Sequence, residues 1–229
     1  MEVSLDTVDT LNAIDTCVAG VDATYKLFMT SIIGEFHRCS SSNVNKQTVR
    51  YFRQSCKQIQ ASALSSINAT LCDGLRNIEA SLPSMIVKDF ALTKTDLEKK
   101  LKGAYQAQML LDIEASRSDL FRYALAVTSR IDLGDRQSSA MIAADKSVRF
   151  NFIDRAGKKW NSSRYIFTIT RFEIIKAIYF SFMLDAISIG ETKLTLSNGS
   201  LIDFSEIEKY SHPNLKLIPI QSVINKVSH

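Results

Sequence analysis

Four cations, Lys46, Arg50, Arg53 and Lys57, follow one another at spacings of 4, 3 and 4. On a helix those steps keep all four on one face. A row of guanidinium and ammonium groups there suits phosphates or an acidic protein surface. Asp15 and Asp22, seven residues apart, are a complementary pair that could meet the row from a neighbouring copy of the chain. A second basic cluster, Arg155, Lys158, Lys159 and Arg164, surrounds Trp160 and Tyr165. Cations interleaved with aromatics suit single-stranded nucleic acid, whereas a tryptophan beside a glycine turn more often anchors that turn on the core.

Catalytic patterns are weaker. The chain carries no G-x-S-x-G, no P-loop and no paired-histidine motif. His212, before Pro213, reads as a solvated turn residue without the positioned partner a general base needs. One enzymatic order can be drawn, with Arg149 on a strand, Ser197 on a later one and Glu206 or Glu208 beyond. It loosely resembles ADP-ribosyltransferases, but any basic strand followed by a Ser and a Glu would match it. The four cysteines, Cys17, Cys39, Cys56 and Cys72, have no C-x-x-C spacing, and three histidines are too few and scattered for a zinc module. They read as small buried hydrophobes in a reducing compartment, so neither metal nor cofactor is expected.

The elements that must position these residues come from composition and period. An apolar fraction of 45% and a charged fraction of 23% in 229 residues suit a folded chain with a real core. The formal charge of +4 is too small to imply nucleic-acid binding by itself, but its distribution is uneven. Residues 1–35 hold six acids against Lys26, residues 36–60 hold five cations and no acid, and residues 149–176 hold seven cations against Asp154 and Glu173. Such segregation suits assembly by charge complementarity. The N-terminus is acidic and does not read as a signal peptide.

Leu11, Ile14, Val18, Val21, Tyr25, Phe28 and Ile32 recur in steps of 3 and 4 and predict a helix over about 5–39. A second stripe, from Val49 and Phe52 to Ile78 and Leu82, predicts a helix over about 44–81 that Pro83 closes. The short polar link between them predicts an antiparallel hairpin. A connector is expected at 83–93, then a third helix that Thr93 or Thr95 can cap, with Thr95-x-x-Glu98 reading as a capping box, and that runs to about Ile131. Its expected inner stripe is Leu110, Ile113, Leu120, Ala124, Val127 and Ile131, interrupted by Arg117. Gly134 is expected to end it, with a shorter helix over 135–146.

At Ser147 the period changes to 2, which predicts a strand over 147–153 and a turn at Asp154–Lys158 with Gly157 free to take positive φ. Trp160–Ile169 fits either a return strand or the lead into an apolar helix over 171–189; three charges, Glu173, Lys176 and Asp185, argue against a transmembrane span. Ser197-Asn198-Gly199-Ser200 between apolar runs predicts a hairpin, followed by a short helix over 205–210 and a strand over 215–220. The expected fold is α+β: a long N-terminal helical hairpin or bundle over 1–133, then a small C-terminal α+β module with an antiparallel sheet over 134–229.

Asp154-Arg155-Ala156-Gly157-Lys158-Lys159-Trp160, followed by Tyr165, Arg171, Ala177, Gly190 and Ser197, resembles the phage minor capsid and head-morphogenesis family. That family commonly shows a D-x-x-G-[RK]-x-W turn, a Tyr, an Arg-Thr-centred helix ending near a Gly, and a strand closing on Ser. Phe172 replaces the usual Thr, and Asn198 stands where a His-containing segment would follow. The resemblance covers about a fifth of the chain. It implies a virion structural protein without catalytic residues, assembled in the host cytoplasm. Portal or capsid proteins would be its partners, a homo-oligomer its state and packaged DNA a further contact, with no membrane involved. Asp154, Gly157, Trp160, Tyr165, Arg171, Gly190 and Ser197 would then define the module's fold. Beside this stand the ADP-ribosyltransferase-like effector and a helical nucleic-acid-binding adaptor.

Overall fold

The computed structural model describes residues 7–41, 45–131, 150–154, 156–188, 193–195 and 201–203. Three long helices come first: α1 (Thr7–Ser40), α2 (Lys46–Ser81) and α3 (Ser84–Ile131). The short strands β1 (Asn151–Ile153) and β2 (Lys159–Asn161) precede α4 (Ser162–Ser188), and β3 (Lys193–Thr195) and β4 (Leu201–Asp203) follow it. The fold is a helical bundle with small antiparallel α+β elements.

Helices α1 and α2 form because apolar residues recur at helical spacing without an internal proline. Ile14, Val18, Val21, Tyr25, Phe28 and Ile32 all lie at 2% exposure or less, so the stripe read from the sequence is the buried face. Asn45 starts α2, its Oδ1 accepting the N–H groups of Gln47 and Thr48 at 2.8 and 3.0 Å.

Pro83 does more than close α2. Its carbonyl accepts the Ile86 N–H at 3.1 Å, and α3 begins at once. The connector expected at 83–93 is therefore replaced by helix. Ser84–Thr95 contains neither Gly nor Pro, so nothing stops propagation once the first turn exists. Thr95 and Glu98 consequently lie inside α3 and cap nothing, while Thr93 Oγ1 donates back to the Phe90 carbonyl at 3.0 Å.

The inner face of α3 overlaps the expected stripe in part, with Ile113 and Leu120 buried as expected. It runs through Leu101, Tyr105, Met109, Ile113, Leu120 and Tyr123, with the polar residues Gln108, Asp112 and Ser116 in phase among them. Leu110, expected inside, is 45% exposed. The buried face is thus rotated from the expected one toward the polar residues in phase with Leu101 and Tyr105.

The chain divides into two compact units, and every helix gives a segment to each. One unit comprises residues 1–21, 68–102 and 167–229, the other 22–67 and 103–166. In the first unit, Thr10 Oγ1 donates to the Ser81 carbonyl at 3.0 Å and Cys17 packs on Gly74, so α1 and α2 run antiparallel. Lys94 pairs with Glu79 at 2.5 Å and Lys100 with Glu173 at 2.7 Å. In the second unit, Phe36 meets Phe52 edge-on at 6.3 Å, and Gln60 Nε2 donates to the Gln106 carbonyl at 3.4 Å.

Strand β1 pairs antiparallel with β2 in the register Asn151↔Asn161, Phe152↔Trp160 and Ile153↔Lys159. Thus 159–161 is the return strand, and the Tyr165, Phe167 and Ile169 alternation belongs to α4. The expected hairpin after α4 is present as β3–β4, with Leu194 opposite Ile202. The strand start at 147–149, the helices at 135–146 and 205–210, and the strand at 215–220 lie outside the described residues. Among the described residues no helix is long and apolar enough to cross a membrane.

Two helical glycines should respond oppositely to alanine. A Cβ at Gly74 would stand 2.3 Å from Cys17 Sγ and 3.2 Å from its Cα, so backbone as well as side chain must yield, whereas at Gly34 it meets nothing within 4 Å. Urea denaturation should show Gly74→Ala destabilised by about 1–3 kcal/mol and Gly34→Ala stabilised by roughly 0.5–1 kcal/mol.

A candidate binding surface and two closed polar clusters

The cation row sits on the first half of α2. Lys46, Arg50, Arg53 and Lys57 are all exposed, as their common phase requires. No acidic residue stands in the first turn of α2, although a helix N-terminus favours anions there. Lys46 and Arg50 thus add positive charge to an already positive helix end. Arg53 reaches Glu114 of α3 at 3.4 Å, and Arg117, one turn further along α3, holds the same carboxylate at 2.7 Å. Lys46, Arg50, Arg53 and Arg117, with Gln47 and Val49, line an open cavity of about 650 Å³. Among the described residues no carboxylate lies within ion-pair distance of Lys46, Arg50 or Lys57.

Asp15 and Asp22 both have partners in their own chain. Asp15 Oδ1 accepts from Arg171 Nε at 3.1 Å. Asp22 accepts the Ser163 hydroxyl at 2.5 Å and pairs with Lys26 at 2.6 Å.

Asp154 organises the turn between β1 and β2. Its Oδ1 accepts the N–H groups of Ala156 and Lys158, both at 2.9 Å, and its Oδ2 accepts the Trp160 indole N–H at 2.9 Å. The Trp160 bond first, and then the backbone bonds, hold this carboxyl below the usual range. Gly157 has φ of 81° and donates to the Asp154 carbonyl at 3.0 Å, a conformation that side chains disfavour. Lys158 Nζ lies 4.1 Å over the indole, and Tyr165 takes Phe152 and Trp160 edge-on at 5.1 and 6.1 Å. Trp160 is thus an anchor of the turn. Arg164 is exposed on α4, while Arg155, Arg149, Gly190, Ser197, Glu206, Glu208 and His212 lie outside the described residues.

Sequence reasoning missed a buried polar cluster. Asp112 is 4% exposed. It accepts Tyr25 Oη at 2.7 Å, Ser162 Oγ at 2.8 Å and Gln108 Nε2 at 3.1 Å. Burial pushes its carboxyl upward, partly offset by those three bonds. The Tyr25 hydroxyl is pushed up by burial and then by Asp112, which keeps it a donor. With Tyr25 and Ser162 both at 0% exposure, the cluster holds α1, α3 and α4 in register and presents no reacting group to solvent. The available signal was phase: Leu97, Leu101, Tyr105, Gln108, Asp112 and Ser116 step by 3 or 4.

The cysteines follow their expected burial. Cys17, Cys39 and Cys56 are buried free thiols, and Cys72 is half-buried. Burial pushes Cys17 and Cys39 up to about 11 and Cys56 to about 12, which leaves little thiolate for chemistry. Among the described residues no group of three or more His, Cys, Asp or Glu could hold a metal. No family model, curated protein or solved structure matches the chain.

A carboxyl raised by folding binds its proton more tightly in the folded state. Its contribution is therefore complete below the ordinary carboxylate range and is lost as pH rises through the raised value. Across that window, urea denaturation should show wild type losing stability relative to Asp112→Asn. Asp112→Ala, which strands three donors, should cost about 2–4 kcal/mol. Trp160 is the chain's single tryptophan, so its emission reports on the turn. Asp154→Ala should shift that emission and speed acrylamide quenching while leaving far-UV helicity unchanged.

Proposed function

We propose that this chain is a structural component of a phage head, of the minor capsid or head-morphogenesis kind, that acts by holding other macromolecules and not by catalysis. The observation that carries the reading is the Asp154–Trp160 turn. The residue types behind the resemblance divide the work of the turn among them. Asp154 closes the loop, Gly157 supplies the positive φ, and Trp160 donates to Asp154 and packs beside Tyr165. Three independent geometric demands at fixed spacing are harder to meet by accident than a composition.

The bundle supports an assembly role in a second way. Tyr25, Gln108, Asp112 and Ser162 of the second unit are bonded to one another, while Lys46, Arg50, Arg53 and Lys57 of α2 are exposed. Those cations favour an acidic partner over an uncharged small substrate. Portal or capsid proteins are the partners this reading supplies, with several copies per particle and the virion as the final location.

Particle association tests this reading. Expressed in cells that assemble a matching phage's heads, the tagged chain should co-sediment with particles and cross-link to a portal or capsid protein. Gly157→Val, which strains the turn, should reduce incorporation while leaving the helices intact by circular dichroism. A chain that stays strictly monomeric and never enters particles would sink the reading.

A further inference from the structure

An exposed apolar strip runs along α3 beside the cation row. Leu110, Leu111, Phe121 and Leu125 are between 45% and 58% exposed. With 3.6 residues per turn they fall within about 100° of one another on the helix surface. These residues lie on the side of α3 away from the buried Leu101, Tyr105 and Met109. Glu114 lies inside the same arc, but Arg53 at 3.4 Å and Arg117 at 2.7 Å compensate its charge. One edge of the strip is therefore bordered by Arg53 and Arg117, with Arg50 beyond on the wall of the same cavity. On the opposite edge Arg122 is held by Asp119 of its own helix.

We infer that this surface of α2 and α3 docks one amphipathic helix whose apolar face covers Leu110, Phe121 and Leu125 and whose flank carries carboxylates toward Arg50 and Arg53. Adjacent apolar and charged bands of this width match a helix laid along a helical pair. The carboxylates would supply the anions that the N-terminal end of α2 lacks, and Phe121 would be the anchor, as aromatics usually are at the centre of such contacts.

The charge distribution decides between occupants. A two-fold axis relating antiparallel copies of α3 keeps both α2 helices on the same side of the pair. Arg50, Arg53 and Lys57 of two copies would then face their own kind, which opposes an antiparallel second copy as occupant. A phosphate backbone would satisfy the cations but leave the leucines and Phe121 in water. An acidic amphipathic helix satisfies both bands. The inference deepens the assembly reading by giving the partner's chemistry, yet its test does not require that partner to come from a phage.

The probe is a synthetic helix of about five turns with leucines on one face and glutamates along one flank, labelled for fluorescence anisotropy. Its control is the same peptide with lysine for every glutamate. The full chain should bind the glutamate peptide at least about tenfold more tightly than the control. Phe121→Asp and the double variant Arg50→Glu, Arg53→Glu should each weaken binding by about tenfold or more. Leu27→Asp, at an exposed leucine of α1, should leave binding unchanged and serves as the folded control. Equal binding of the two peptides, or none, overturns the inference. So does a wild-type dimer in sedimentation that Phe121→Asp dissolves, because the strip would then be covered by a second copy. Competition by a short DNA duplex that Phe121→Asp does not alter overturns it as well. Failure here with normal particle incorporation would reject this docking surface alone, and the converse would reject the phage assignment alone.

Discussion

The buried carboxylate of Asp112 is the constraint on which the second unit depends. A carboxyl at 4% exposure cannot be left without donors, and its three donors come from α1, from α3 itself and from the first residue of α4. Meeting that demand fixes the rotation of α3, brings Tyr25 inward and places the start of α4. Since α4 begins directly after β2, the same demand sets where the Asp154–Trp160 turn leaves the bundle. Apolar packing alone would tolerate small slips of one helix past another; hydrogen bonds of 2.7–2.8 Å to one carboxylate do not.

Fixing the rotation of α3 also leaves large apolar side chains on its outer side. A helix with leucines and aromatics on two sides can bury only one of them in a bundle, and the polar residues in phase with the inner stripe decide which. Leu110, Phe121 and Leu125 are left outside next to Arg50 and Arg53. The surface there departs from local rules twice, with large apolar side chains in water and Lys46 in the first turn of α2. Neither departure helps the isolated chain fold. Such inconsistencies concentrate where a protein meets something else, and this separates the surface from the Asp112 and Asp154 clusters, which are satisfied from within.

Much of the bundle was legible in the sequence because burial imposes a period. The stripes of α1 and α2 emerged with their residues almost unchanged, and the turn at Gly157 followed from its chemistry. The basic row lay on one exposed face because its spacing allowed nothing else. Two readings failed for definite reasons. Thr95 and Glu98 matched a capping box, yet a local motif has no force when the helix has already begun at Ser84. The stripe from Leu110 to Ala124 placed Ile113 and Leu120 inward correctly, yet Leu110 is exposed and the face that packs passes through Asp112. A charge usually faces water, and only its phase with Leu101 and Tyr105 pointed inward.

The sequence by itself determined the stripes of α1 and α2, the Gly157 turn, the presence of a hairpin after α4 and the common phase of the cation row, since each depends on neighbours a few positions away. The tertiary structure decided the rotation of the buried face of α3, that Asp15 bonds to Arg171 and Asp22 to Ser163, and that Asp112 joins three helices. Those choices depend on residues distant in the chain that meet only after packing. A carboxylate's partner is set by which donor stands within about 3 Å in three dimensions, and spacing along one helix does not contain that information.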